Sequence, residues 1–273
     1  MAADEIRKME RAGRLAAQAL AHVGKFVRPG ATTGELDKII NLHIDAVFTT
    51  EASNRDLDSW SAAYMRSEKS HLYSVLRAWL EYENERHPFQ VEAREEKLSD
   101  VTVGPLHLDL RVDRVDLLPG GARLLIDYKT GKVSTKQWNA PRVEEPQLPL
   151  YAVYGGMENV QGVCFAQIRV GESKFIGHIK DAQAIFSSEL ADNSPLVKKP
   201  LNEELQNAWR DDLLAVATEF TQGKAIVDPK NYPKTCEFCA FTGLCRVRES
   251  NVPMQSFDTE PEANGSGEEE IND

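Results

Sequence analysis

The chain has 273 residues, 43 of them acidic against 32 basic, for a net charge of −11; that balance excludes a general nucleic-acid binder working through a uniformly basic surface. Seven of the acids fall in residues 251–273 with no base among them, so the rest of the chain carries only −4. Hydrophobic residues make up 41%, enough for an independent core at this length, yet no apolar run approaches the ~18 residues of a membrane span and Met1 to Glu10 lacks a signal-peptide pattern, so a cytoplasmic protein is expected.

Asp4 to Phe26 places Ile6, Met9, Ala16, Leu20 and Val23 on one helical stripe, and Pro29-Gly30 ends it. Thr32-x-x-Glu35 is a capping-box pattern that opens a second helix, with Leu36, Ile39, Ile40, Ile44 and Val47 on its apolar face. The two make an N-terminal helical hairpin over residues 1–48. Residues 49–58 are polar and read as a loop. Helix returns from Ser59 to Glu85, where Trp60, Tyr64, Leu72, Val75, Leu76, Trp79 and Tyr82 form a wide core-facing stripe. Phe89 to Leu98 reads as the first strand, with Glu92, Glu95 and Glu96 on a solvated face.

Leu106 to Gly131 carries the chemistry. Leu108, Leu110, Val112 and Val115 alternate with or flank Asp109, Arg111, Asp113 and Asp116, the mark of a half-buried strand. Pro119-Gly120-Gly121 is a turn, and Arg123 to Tyr128 is the returning strand of a hairpin. Adjacent strands can bring Asp113 and Asp127 close enough to share a divalent cation, and hard cations such as Mg²⁺ take oxygen ligands. Lys129, two residues past Asp127, lies on the same strand face. A carboxylate pair beside a lysine suits phosphodiester hydrolysis: the cation polarises the phosphate and the lysine stabilises developing charge.

Lys132, Lys136 and Arg142 follow with Trp138 among them, a basic and aromatic loop where a phosphate backbone could lie. Pro146 to Tyr154 begins a helix, and Val160 to Val170 and Lys174 to Ile179 are two further strands. Asp192 to Pro200 reads as a linker, and Glu203 to Gln222 as a helix packing Trp209, Leu213, Leu214, Ala217 and Phe220 inward. Cys236, Cys239 and Cys245 lie within ten residues, which in a cytoplasmic protein points to a metal or an iron–sulfur cluster rather than to disulfides. Residues 250–273 have the composition of a disordered tail.

Three segments resemble the motifs of RecB-type nucleases in the PD-(D/E)XK superfamily, and in particular the C-terminal nuclease domain of AddB-like DNA repair proteins: V-D-R-V-D at 112–116, I-D-Y-K-T-G at 126–131 and Q-L-P-L-Y at 147–151. The resemblance spans about residues 57–248. It implies an α/β fold, a restriction-endonuclease-like core whose mixed central sheet is flanked by helices, over residues 57–250 between the helical hairpin and an acidic tail at 251–273. It implies that Asp113, Asp127 and the Tyr128 backbone carbonyl bind Mg²⁺ or Mn²⁺, that Lys129 is the catalytic lysine, and that Gln147 and Tyr151 contact the DNA backbone near the scissile phosphate. DNA is the implied partner. No P-loop pattern is present, so helicase or ATPase activity would come from a partner subunit or from a missing upstream region.

The chain departs from this family in two places. The upstream histidine of an R-G-x-x-x-H-like motif is missing, and His43 is the conceivable substitute. The cysteine triplet resembles one that, with a distant upstream cysteine, holds a [4Fe–4S] cluster, but that fourth ligand is absent and Cys164 sits within a strand. A non-catalytic DNA-binding or scaffold relic is therefore the alternative, against which the intact Asp113, Asp127 and Lys129 set argues. Residues 4–45 separately resemble the N-terminal helices of type I methionine aminopeptidases. The metal ligands of that family have no counterpart here, so no aminopeptidase activity is expected.

Overall fold

The structure, a computed structural model, describes residues 33–53, 59–187, 191, 194–198 and 200–247. The helix expected over 4–26 and the acidic tail lie outside these residues, as does part of 192–200. Contacts divide the chain into two units, residues 1–223 and 224–273.

In the first unit, α1 (Thr33–Ser53) follows the capping-box signal, and α2 (Ser59–Asn84) follows the aromatic stripe. The polar run expected as a loop from residue 49 instead continues α1 to Ser53. The strands are β1 (Gln90–Val103), β2 (Leu106–Leu117), β3 (Arg123–Lys129), β4 (Val160–Gln167) and β5 (Lys174–Ile179), with α3 (Gln147–Tyr154) between β3 and β4 and α4 (Glu203–Thr221) after β5. They form one mixed sheet in the order β1-β2-β3-β4-β5, antiparallel except for the parallel pair β3–β4. A parallel pair needs a crossover connection, and the segment carrying α3 supplies it. The β2–β3 turn is the expected one: Gly120 and Gly121 take φ of 83° and 79°, a region costly for any residue with a Cβ, and Leu118 and Ala122 close the turn with a 2.8 Å backbone bond.

Each face of the sheet carries its own core. On one, Ile40, Ile44 and Phe48 of α1 and Leu76, Trp79 and Leu80 of α2 pack on Leu124, Ile126, Cys164, Ala166 and Phe175. On the other, Tyr151 of α3 and Trp209 and Leu213 of α4 pack with Trp138 on Val115, Leu125, Val163 and Phe165. The 192–200 stretch, read as a linker, contributes the fully buried Leu196 to the first core. Among the described residues no helix is long and apolar enough to cross a membrane.

The second unit, described to Val247, has a 3-10 turn at Lys234–Cys236 and the short helix α5 (Thr242–Cys245). Tyr232, Pro233, Lys234, Cys236, Glu237, Thr242 and Val247 line a pocket of about 520 Å³.

Candidate active site

Strand alternation puts Leu125, Asp127 and Lys129 of β3 on the face covered by α3 and α4, and Leu124, Ile126 and Tyr128 on the other. On β2 the alternation slips. Val112 and Val115, three residues apart, both join the α3/α4-side core, whereas Arg114 and Asp116 are buried charged groups. The slip falls at Asp113, whose neighbours pair Val112↔Glu96 and Arg114↔Arg94 across β1. The intervening β1 residue, Glu95, takes a left-handed φ of 49°. Asp113 here reaches across to β3: its Oδ2 accepts the Tyr128 backbone N–H at 3.0 Å.

Asp127 is 2% exposed. Its Oδ2 lies 2.9 Å from Lys129 Nζ, yet that buried oxygen has no well-directed hydrogen-bond donor. Burial first, and then the charge of Asp113, push the Asp127 carboxyl up to about 6 against the opposing pull of Lys129. Burial works to lower the pKa of the Lys129 ammonium, but Asp127, together with Glu145 and Asp113, outweighs it and holds the lysine above its ordinary value. A buried carboxylate oxygen held only by a poorly directed ammonium, with a second carboxylate whose charge opposes its ionisation, is a condition a divalent cation relieves, so the oxygen donors here fit Mg²⁺ or Mn²⁺.

Around this pair the chain is braced. Tyr151 on α3 is 2% exposed; its hydroxyl donates to the Arg111 carbonyl, two residues before Asp113, and accepts from Gln147 Nε2 at 2.9 Å. Gln167 accepts from the Val133 N–H at 3.2 Å and donates to the Glu172 carbonyl at 3.1 Å, fixing the chain just past Lys129. The Asp212 carboxylate on α4 accepts the backbone N–H groups of Arg142 at 2.6 Å and Val143 at 2.8 Å, clamping the segment that leads into α3. Trp138, read as the aromatic of a basic loop where a phosphate backbone could lie, is 1% exposed, and its carbonyl accepts Trp209 Nε1–H at 2.9 Å. Lys132 and Lys136 of the same segment are exposed.

The other face of β2 and β3 holds a buried ionic network that sequence reasoning missed. Arg114 donates to both carboxylate oxygens of Asp116, at 2.6 and 2.9 Å, and to the Tyr128 hydroxyl at 2.8 Å. It also pairs with Glu83 at 2.9 Å, while Arg86 joins Glu83 at 3.0 Å and Asp116 at 2.8 Å. Two acids and two bases make the set neutral. Burial pushes the Tyr128 phenol up to about 12 against the lowering influence of Arg114.

The structure thus brings together Asp113, Asp127, Lys129 and Tyr151, with Glu145 within electrostatic reach of Asp127 and Lys129. His43 lies half-buried on α1. Among the described residues no group of three or more His, Cys, Asp or Glu side chains gathers to hold a metal ion, so His43 does not complete a triad with the two aspartates. The same holds for Cys236, Cys239 and Cys245, which are free thiols in the second unit, with Cys239 exposed. As placed, they do not fit a closed iron–sulfur or zinc site.

The profile of the PD-(D/E)XK nuclease superfamily matches residues 2–246. Methionine aminopeptidases from Salmonella typhimurium and Escherichia coli are 51% identical to this chain over 41 residues, 15% of this chain and 16% of theirs. The chain therefore spans 16% of the length of these curated relatives. The crystal structure of SSO0001 aligns over 88% of this chain and 96% of its own, with a TM-score of 0.35 and 13% sequence identity.

Proposed function

The chain belongs to the PD-(D/E)XK nuclease superfamily, and we propose that it is a divalent-metal-dependent deoxyribonuclease, the nuclease domain of a RecB/AddB-like DNA repair protein with a helicase subunit as partner. The observation that carries this reading is the meeting of Asp113, within β2, with Asp127 and Lys129 at the end of β3, where Asp113 accepts the Tyr128 N–H and the buried Asp127 faces Lys129.

Asp113, Asp127 and the Tyr128 backbone carbonyl would hold Mg²⁺ or Mn²⁺. Such an ion, when bound, polarises the phosphate and lowers the pKa of its water. The chain's own groups do the rest. Lys129, kept protonated by its acidic neighbours, places a fixed positive charge where negative charge develops on the phosphoryl oxygens. Lys132 and Lys136, exposed just past the strand, attract the DNA backbone without reading its sequence. Gln147 and Tyr151 brace the Arg111 carbonyl, and Gln147, half-buried at the start of α3, is the group of this pair that would touch the scissile phosphate. His43 stays outside the proposed ligand set.

The test is cleavage of labelled linear single- and double-stranded DNA in Mg²⁺ or Mn²⁺, comparing the wild type with Lys129→Ala and Asp127→Ala. Metal-dependent cleavage lost in both variants is the expected result. A folded wild-type protein that leaves both substrates intact overturns it, and DNA binding without cleavage would move the assignment to a non-catalytic DNA-binding protein.

A further inference from the structure

The β2–β3 ladder stops short of the two acids. Its last pair is Arg114↔Ile126. Towards its start β2 stays paired with β1, through Val112↔Glu96, and towards its end β3 stays paired with β4, through Asp127↔Phe165, Tyr128↔Ala166 and Lys129↔Gln167. The strands therefore fork, with Asp113 on one arm and Asp127 on the other. Two contacts span the fork, and both end on Tyr128. Its backbone N–H donates to Asp113 Oδ2 at 3.0 Å, and its hydroxyl accepts from Arg114 Nη1 at 2.8 Å.

Arg114 is in turn immobilised. Asp116 binds it through both oxygens and Glu83 from α2 pairs with the same guanidinium, while Arg86, stacked 3.9 Å from the centre of the Phe89 ring, ties Glu83 to Asp116. The four side chains are 0–4% exposed. Stability is a poor reason to keep such a set, because desolvation offsets much of the attraction and apolar groups of similar volume often serve as well. What apolar groups cannot supply is a directed donor at a fixed point on the far arm of the fork.

We propose that the Arg114–Tyr128 hydroxyl contact is a positioning bridge that sets the width of the β2–β3 fork and so the separation of Asp113 and Asp127. The inference rests on the reading of those two carboxylates as the cation site. Mg²⁺ tolerates little error around ligand distances of about 2.0–2.1 Å, and loss of an outer partner that orients ligands typically weakens metal affinity by about 10–100-fold. Arg114 and Tyr128 act through the aspartates, by geometry.

Tyr128→Phe tests the bridge, since it removes one oxygen and keeps the ring that meets Trp79 edge-on at 6.2 Å. Tyr82→Phe is the control: it removes a hydroxyl that accepts the Phe175 N–H at 3.4 Å on the same side of the sheet, away from the fork. Two measurements on the full chain read the result. In metal-free protein, amide hydrogen exchange at Tyr128 is compared with that at Leu125 and Ile126 in the intact ladder. Separately, Mn²⁺ binding is followed by calorimetry. Tyr128→Phe is expected to speed exchange at the Tyr128 amide about tenfold or more relative to the ladder amides and to weaken Mn²⁺ binding about 10–100-fold, with neither change in Tyr82→Phe. Exchange at Tyr128 that matches the wild type, or wild-type Mn²⁺ affinity in Tyr128→Phe, overturns the proposal. A wild type that binds no Mn²⁺ removes the cation site and with it the role in spacing ligands, whereas the exchange comparison still decides whether the bridge holds the fork.

Discussion

Asp127→Asn separates the cost of the site from its use. Asp127 is buried, and its carboxyl stands at about 6 in the folded chain against an ordinary 3.8. The sign follows from proton linkage. Below the ordinary value the group is protonated in both states and costs nothing. As pH rises the unfolded chain releases its proton first, so stability falls until the folded group also ionises, and above about 6 the full penalty remains. At about 1.4 kcal/mol per tenfold change in proton affinity, that penalty is about 3 kcal/mol. The isosteric amide avoids it. Lys129 loses its partner but is 31% exposed and can turn to water, which trims the gain to about 1–3 kcal/mol. Urea unfolding in EDTA at pH 7.5 should therefore show Asp127→Asn more stable than the wild type, with the difference gone at about pH 3. Added Mn²⁺ should stabilise only the wild type, by the mass-action relation RT ln(1 + [L]/Kd). An Asp127→Asn protein less stable than the wild type in EDTA at pH 7.5, or one whose advantage persists undiminished at about pH 3, would refute the argument.

The same proton competes with the cation. Apparent Mn²⁺ affinity should fall about tenfold per pH unit below about 6 and level off above it, as calorimetry between pH 5 and 7.5 would record; affinity flat across that range contradicts it. Asp116→Leu leaves two buried guanidinium groups facing one acid, and denaturant unfolding should show a loss of about 3–5 kcal/mol. Gly177→Ala would set a Cβ 2.1 Å from the Val163 carbonyl oxygen and 2.6 Å from Cys164 Cα; a loss of about 1–3 kcal/mol or more with Mn²⁺ affinity unchanged is expected, and an undisturbed melting curve would show that β5 can shift away from β4. Asp212→Ala removes the acceptor of two loop N–H groups, and amide exchange at Arg142 and Val143 should quicken while that at Leu125 does not.

What the sequence disclosed and what it hid differ in the range of the interactions involved. Asp127 and Lys129 stand two apart on one strand, so a period-two pattern suffices to put them together. The slip at Asp113 is also written locally, in an apolar spacing that runs 108, 110, 112 and then 115. The α2 stripe carries a similar mark: it continues through Leu72, Leu76 and Trp79 to Glu83, a charged residue at core spacing, with the buried Arg86 just past the helix end. Read alone, an acid near a helix end is solvated. Its partner Arg114, like the Asp116 that Arg86 joins, is remote in sequence, and only the fold brings the four together. Composition misled where one residue acts against its surroundings, as with Leu196 in a Ser/Pro-rich stretch and Trp138 among lysines, both buried.

The same division runs through the site. The groups proposed to hold the cation are legible because they lie on the two strands of one hairpin. The groups that fix their spacing are not, because a forked pair of strands has no ladder hydrogen bonds where the acids sit, and something from outside both strands must replace them. Glu83 of α2 and Arg86, just past its end, anchor Arg114 for that purpose. Two acids and two bases keep the anchor neutral, so it can hold Tyr128 from the other face of the sheet without adding net charge near a place where two carboxylates already repel.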